Sequence, residues 1–386
     1  MHTAARTHSF TESVIRGMTR LANRHDAINL AQGFPNFPSP TLLKDAAVRA
    51  IQADLNQYAI TWGSARLRQA LADKYRDWYG MAVDPDLEVT VTCGATEAMV
   101  VAMLALVDPG DEVIVFEPFY ENYGPDAILS GARPVFVPLP TSGSFDLDRL
   151  RHAFSSRTRA IIVNTPNNPT GRVLTGDELT AIAELCCEHD SYAFTDEIYE
   201  HIYYQGEHVP LATFPGMRHR TITISGYSKT FSITGWRVGT MVAPPGATDA
   251  IRKVHDFLTV GAPAPLQDAV AAGLEALDRT FYHQLAAEYR QRRDVLCDAL
   301  LSAGFACTPP QGAYYIMADF RALSDRSDVD FAEWLTRDIG VAPVPGSSFY
   351  HDASGGRTTV RFAFCKTIDL LEQAAQRLQG VRAAGG

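Results

Sequence analysis

Lys229 sits in the stretch Ser225-Gly-Tyr-Ser-Lys-Thr-Phe-Ser-Ile-Thr-Gly-Trp-Arg-Val-Gly239, crowded by aromatic side chains and followed eight residues later by Arg237. Such surroundings disfavour the ammonium form, and a lysine that is a free amine forms Schiff bases with carbonyl compounds. A loop lysine followed by a structural arginine would read the same way, so these residues alone leave the two readings balanced. Further residues suit an aromatic aldehyde that carries a phosphate and a pyridine ring. Lys229 supplies the amine for the aldehyde, and Arg237 with the small turn Gly94-Ala95-Thr96 supplies a cation and amide donors for the phosphate. Asp196 offers a carboxylate to the ring nitrogen, whose protonation makes the ring an electron sink. Asn168 and Tyr199 could donate to a phenolic oxygen, and Tyr120 could stack on the ring face. Each has a plainer role open to it: Asp196 could cap a helix, Asn168 could shape a turn and Tyr120 could pack.

The elements that must position these residues alternate. Thr221 to Ile224 reads as a strand that puts Lys229 at its mouth, and further strands are expected at 89–92, 113–116, 134–137, 160–163, 192–195 and 238–243. Helical spacing runs over 98–106 and over 178–187, the latter preceded by the turn Asn167-Asn-Pro-Thr-Gly171. The pattern predicts an α/β fold: a large domain with a mixed, mostly parallel sheet, plus a smaller α+β domain. In such sheets ligands lie beyond the strands' carboxyl ends, where Gly94 to Thr96, Tyr120, Asn168, Asp196, Tyr199, Lys229 and Arg237 all fall. One shared address for seven such features, the Gly94 to Thr96 turn counted as one, outweighs seven separate plain roles. We expect an N-terminal arm over 1–40 that joins the small domain, a large domain over 41–280 and a small domain over 281–386. In the arm, Ile15, Met18, Leu21 and Ala22 share a helix face, and Gln32 to Pro40, with Pro35, Pro38 and Pro40, is a stiff connector that lines a pocket. In the small domain we expect helices over 281–301 and 370–378 and a strand over 359–364 that carries Arg361.

Composition narrows the function classes. The chain has 386 residues, 46% hydrophobic and 20% charged, which suits a soluble protein of one large and one smaller domain. A net charge of −10 without basic runs argues against nucleic acid and anionic membranes as partners. No apolar run reaches the roughly 18 residues of a membrane span, and the first residues lack a signal-peptide core, so a cytoplasmic location is expected. The six cysteines show neither paired spacing nor a CxxC and read as reduced thiols, with no metal site expected at Cys186-Cys187-Glu188-His189. A GxGxxG and a nucleotide P-loop are both absent.

Asn168-Pro-Thr-Gly171, Thr195-Asp-Glu-Ile-Tyr199 and Ser228-Lys-Thr-Phe-Ser-Ile-Thr-Gly-Trp-Arg-Val-Gly239 together resemble the marker segments of fold-type I, class I/II aminotransferases that use pyridoxal 5′-phosphate. The likeness runs across nearly the whole chain. Ile28-Asn-Leu-Ala-Gln-Gly-Phe-Pro35 and Asn56-Gln-Tyr58 further resemble the kynurenine, glutamine and methionine branch. The resemblance implies that Lys229 holds the cofactor and moves the proton, and that Arg361 grips the substrate α-carboxylate, with Gly33 and Asn168 also contacting it. It implies a homodimer with composite sites, in which Tyr58 reaches the phosphate of the neighbouring subunit. Many relatives place a phosphate-binding serine where this chain has Gly226, and Ser225 or Ser228 could replace it. The expected activity is transfer of an amino group from an L-amino acid, aromatic or sulfur-containing, to a 2-oxo acid. The side-chain preference rests on Phe34, Phe37, Tyr58, Trp62, Tyr120 and Phe349 as apolar walls. A C–S β-lyase or a specialised biosynthetic enzyme would use the same residues for its carbanion chemistry, and a DNA-binding sensor of this fold is disfavoured by the acidic charge and by Lys229.

Overall fold

The computed structural model describes residues 3–141 and 143–381; the Ala/Gly-rich end of the sequence lies outside them. In chain order, the first third holds α1 (Val14–Arg24), β1 (Ile28–Asn29), α2 (Thr41–Gln52), α3 (Ala65–Tyr79), β2 (Val89–Thr92), α4 (Ala95–Leu106), β3 (Glu112–Glu117), α5 (Tyr123–Ser130) and β4 (Arg133–Pro138). The middle holds α6 (Leu147–Ala153), β5 (Thr158–Asn164), α7 (Gly176–Glu188), β6 (Tyr192–Asp196), β7 (Thr221–Gly226), β8 (Gly239–Val242), α8 (Pro245–Thr259) and α9 (Ala264–Ala276). The last third holds α10 (Arg279–Ser302), β9 (Ala306–Cys307), β10 (Tyr315–Asp319), α11 (Asp328–Trp334), β11 (Val341–Ala342), β12 (Val344–Pro345), β13 (Thr359–Ala363) and α12 (Ile368–Leu378).

Seven strands form one sheet in the order β2-β8-β7-β6-β5-β3-β4. All neighbours run parallel except β8, which is antiparallel to both β2 and β7. The central strands are buried on both faces, as Ile161, Ile162 and Val163 of β5 and Ile222 and Ile224 of β7 show, and this accounts for their continuous apolar runs. Helix α4 is apolar nearly all round and packs on the sheet with α5 and α8, while α7 covers the other face. A capping box fixes the start of α7, with Thr175 and Glu178 each receiving the other's backbone amide.

A second sheet, β12-β13-β10-β9, is antiparallel and is covered by α10 and α11, with α12 packed on α10. Ile15, Met18 and Leu21 of α1 pack into the same core as Leu296, Phe362 and Phe364, and β1 pairs in parallel with β11. The four residues expected on one face of α1 are the four it buries.

Beneath β7 lies a charged network with a buried ion pair at its centre. Lys74 Nζ donates to Glu200 at 2.5 Å, and both side chains are at most 4% exposed. Tyr79 and Ser225 also donate to this carboxylate, each at 2.7 Å. Burial opposes the charge on Glu200, but Lys74 outweighs it and holds the carboxyl well below the usual range. Lys74 and Tyr79 of α3 and Ser225 of β7 thus meet on one carboxylate, which ties α3 to the strand that leads to Lys229. Replacing Lys74 by Met leaves a buried anion without its cation, and we expect a loss of about 3–5 kcal/mol in unfolding free energy, read as a lowered urea midpoint at pH 7.

Candidate active site

The carboxyl ends of β5, β6 and β7 open toward the second sheet, and the space between is a cavity of about 440 Å³. Lys229 lies in the turn after β7. Its Nζ donates to the carbonyl of Gly33 at 3.1 Å, and Tyr314 donates to the same oxygen at 2.9 Å. No carboxylate pairs with this amine among the described residues. Burial, with Arg237 and Arg361 nearby, brings it down to about 8. At pH 8 about half of this lysine is therefore a free amine, where an ordinary one would be almost wholly an ammonium ion.

Asp196 ends β6. Tyr123 of α5 donates its phenol to Oδ2 at 2.7 Å, and the Ile198 amide donates to Oδ1 at 3.3 Å. Burial pushes the carboxyl up while these donors resist. Asn164, at the end of β5, links the acid to the rest of the site: it donates to the Asp196 carbonyl at 2.9 Å and accepts the Asn168 amide at 2.7 Å.

Asn168 in turn holds Arg361, the largest fully buried side chain. One guanidinium nitrogen donates to Asn168 Oδ1 at 2.8 Å and the other to the Ala31 carbonyl at 2.7 Å, while Nε has no partner. The rings of Tyr315 and Phe349 lie 4.2 and 4.8 Å from the guanidinium carbon, contacts that hold its plane and favour its charge. A buried cation with neutral neighbours and a spare donor is matched to an incoming carboxylate.

At the other end of the cavity Arg237 is exposed to solvent where Arg361 is buried, and among the described residues it too has no carboxylate partner. It adopts a left-handed backbone, φ 54°, and donates only to the carbonyls of Thr234 and Cys93, at 3.0 and 3.4 Å. The guanidinium lies against Gly94, which caps α4 with φ 86°; a Cβ there would collide with Arg237. Glycine is thus needed both for the turn and for the close approach. The first amides of α4, at Ala95 and Thr96, lack intrahelical partners and face the cavity beside this cation, which makes an anion seat.

Gly33, Ala95, Thr96, Tyr120, Asn168, Asp196, Tyr199, Ser228, Lys229, Arg237 and Arg361 therefore meet in one cavity, with Gly94 directly behind Arg237. Tyr58 does not join them: it is 87% exposed and borders a separate depression with Cys93 and the segment 261–265. Of the two candidate serines, Ser228 lines the cavity, whereas Ser225 points under the sheet to Glu200. Of the six expected apolar walls, Phe34 and Tyr120 line it. Phe37 packs on Tyr289, Trp62 lies against Arg252 and Phe349 backs Arg361. An aromatic residue in a stiff loop is fixed by the loop, but which way it faces depends on partners far along the chain.

The sequence reading missed Tyr123, Asn164, Asp126 and Tyr315, all of which line the cavity, as well as Tyr314 behind Lys229. Asn164 could have been found by extending the strand-end rule one residue past Val163. Ser13, Ile15, Arg16 and Glu121 also line the cavity, with the Ser13 hydroxyl donating to Glu121 and so joining the arm to the segment before α5.

Comparison with known proteins agrees with this geometry. The model of the family "aminotransferase class I and II" matches residues 25–378. The chain belongs to that family. It is 41% identical to a probable N-succinyldiaminopimelate aminotransferase of Mycobacterium tuberculosis, covering 97% of this chain and 98% of that one. The solved structure of the N-succinyldiaminopimelate aminotransferase from that organism superposes with a TM-score of 0.96 over 98% of this chain and 100% of the other, at 41% identity. The methionine aminotransferase of Escherichia coli is 38% identical, with 95% of each chain covered. Human kynurenine–oxoglutarate transaminase 1 is 36% identical over 93% of each. The fold is that of the fold-type I aminotransferases, and the chain is an enzyme that moves an amino group from an amino acid to a 2-oxo acid.

The free-amine character of Lys229 is directly measurable. Reductive methylation across a pH series, followed by peptide mass spectrometry, should show Lys229 half-reacted near pH 8. Exposed lysines such as Lys253 should need a pH close to the ordinary value of about 10.4. A Lys229 midpoint equal to that of the exposed lysines would contradict the effect of burial.

Proposed function

We propose that the cavity binds pyridoxal 5′-phosphate and that the enzyme acts through it. The supporting observation is the presence in one cavity of a lysine whose amine is freed near pH 8, a buried acid and two arginines without carboxylate partners among the described residues. The residues fit the group: the absence of a side chain at Gly94 lets the Arg237 guanidinium lie beside the first amides of α4, and Arg361 Nε is a buried donor that lacks an acceptor. When bound, the cofactor supplies an electrophilic carbonyl and a ring that accommodates negative charge from the substrate α-carbon.

In this reading Lys229 holds the cofactor's carbonyl carbon and, once released, takes and returns the substrate α-proton as a base suited to operation near pH 8. Asp196, oriented by Tyr123, keeps a proton on the ring nitrogen. Asn168 and Tyr199 donate toward the phenolic oxygen and Tyr120 covers the ring. Arg237, Ser228 and the Gly94-Ala95-Thr96 turn hold the phosphate. Arg361 clamps the α-carboxylate with two nitrogens, with Asn168 and Gly33 alongside, and so aims the α-hydrogen at Lys229.

The arm 1–40 and residues 281–386 form a smaller unit in this reading, and 41–280 form the cofactor-binding one; the shared core of α1, α10 and β13 supports that division. The working assembly is a homodimer in which Tyr58 reaches the partner's phosphate. Leu55, Tyr58, Ile60, Phe257, Leu258 and Val260, all exposed large side chains, supply an apolar surface for it. We place the enzyme in the cytoplasm; its six thiols are unpaired, and among the described residues no helix is long and apolar enough to cross a membrane. The donor is an aromatic or sulfur-containing amino acid, a reading supported by Phe34 and Tyr120 in the cavity and by relatives named for methionine and kynurenine.

The test is an absorbance titration of the cofactor-loaded protein with single amino acids and no oxo acid. Loss of the Lys229-linked band, with one 2-oxo acid formed per site, is the expected result. A persistent band with accumulating pyruvate and ammonia would instead point to a lyase. Lys229→Ala should abolish turnover. Arg361→Lys should lower kcat/KM by roughly 10- to 150-fold, the equivalent of the 1.5–3 kcal/mol of a hydrogen bond to a charged group. Sedimentation should show a dimer, and Tyr58→Phe should weaken cofactor binding without dissociating it.

A further inference from the structure

One acid of the cavity has no task in the reaction described above. Asp126 lies on α5 one turn beyond Tyr123, so the two side chains share a helix face. It lines the cavity and is only 5% exposed, yet its Oδ2 has no hydrogen-bond partner. A buried oxygen left unsatisfied at the edge of a ligand cavity is costly unless something answers it.

The neighbours decide its charge. Asp196 faces it from β6, with Tyr123 on the same helix and Tyr120 and Glu121 just before it. The elements packed on α5 also carry Glu97 on α4, Glu112 and Glu117 on β3, and Arg133 on β4. Each of these is engaged elsewhere: Glu97 with His255, Glu112 with Arg133 and Arg157, and Glu117 with His351. The active pair is therefore Asp126 and Asp196. Two carboxyls in one buried site resist carrying two negative charges. Asp196 receives a phenol and an amide, which favour its anion; Asp126 Oδ2 receives nothing, so the proton resides on Asp126. Burial and the charge on Asp196 push the Asp126 carboxyl up to about 8.

We propose that Asp126 is a proton-holding residue of the ring-nitrogen end of the site, neutral when the cavity lacks cofactor and ionised when the positively charged ring seats against Asp196. The step breaks only the Asp126 O–H bond; the electron pair stays on the carboxylate and the proton leaves to solvent. The added negative charge then strengthens the hold on the ring cation. This inference rests on the cofactor assignment above, and it makes cofactor affinity, rather than chemistry alone, depend on Asp126.

The test measures the dissociation constant of pyridoxal 5′-phosphate from the apoprotein between pH 6 and pH 9, for the wild type, Asp126→Asn and Asp126→Ser. The amide of Asn has the shape of the neutral acid but no proton to release. By linkage, the ratio of variant to wild-type dissociation constants should rise about tenfold across this range. Both variants should show that rise, so that poor folding of one leaves the other to decide. A ratio that stays flat with pH overturns the proposal, even if both variants bind more weakly at every pH. Failure of the wild type to bind the cofactor at all would overturn the underlying reading and this one with it.

Discussion

The guanidinium of Arg361 is buried with no anion to balance it, and much of the structure exists to make that tolerable. Its charge is spread over two neutral oxygens and two aromatic faces contributed by β5's following turn, the arm, β10 and the segment before β13. An isolated buried charge would be several kcal/mol unfavourable, so each of these contacts must be held in place by the packing behind it. The site's affinity for a carboxylate is the counterpart of that arrangement, because the ligand supplies what the fold leaves out.

The same economy governs the rest of the cavity. Lys229 faces a carbonyl instead of a carboxylate, and Arg237 donates only to carbonyls. Had either been given an acidic partner, the lysine would remain an ammonium ion and the arginine would have less affinity for phosphate. Acids are present but not paired with these cations: Tyr123 and Asn164 hold Asp196 at the end of β6. Separation of charge types across one small cavity lets neutral donors and acceptors do the positioning.

Much of this was legible in the sequence, for identifiable reasons. Buried parallel strands need apolar runs, so all seven strands of the main sheet could be located, and the strand-end rule placed Asn168, Asp196 and Lys229 together. Arg361 could be located only by resemblance, because an arginine within Thr359-Val-Arg-Phe-Ala363 has no local signature of its long-range partners. Tyr123 and Tyr315 were invisible for the same reason: a tyrosine that orients an acid and one that fills a core have the same neighbours in sequence. The choice between Ser225 and Ser228 stayed open in the sequence because alternation along the strand decides direction, and that alternation turns Ser225 toward Glu200.

The parallel pairing of β1 with β11 ties Ile28 to Val341 across nearly the full length of the chain. On the ribosome β1 therefore emerges before the seven-stranded sheet and its strand partner after it, so that the sheet between them can already have assembled as a unit. Gly33, which meets Lys229, follows β1 directly, and Arg361 is made later still. The nascent chain thus cannot present a finished pocket while only the amine-bearing sheet has been made: that sheet waits, half-roofed, until β11 and β13 follow it, and tight substrate capture depends on those later segments.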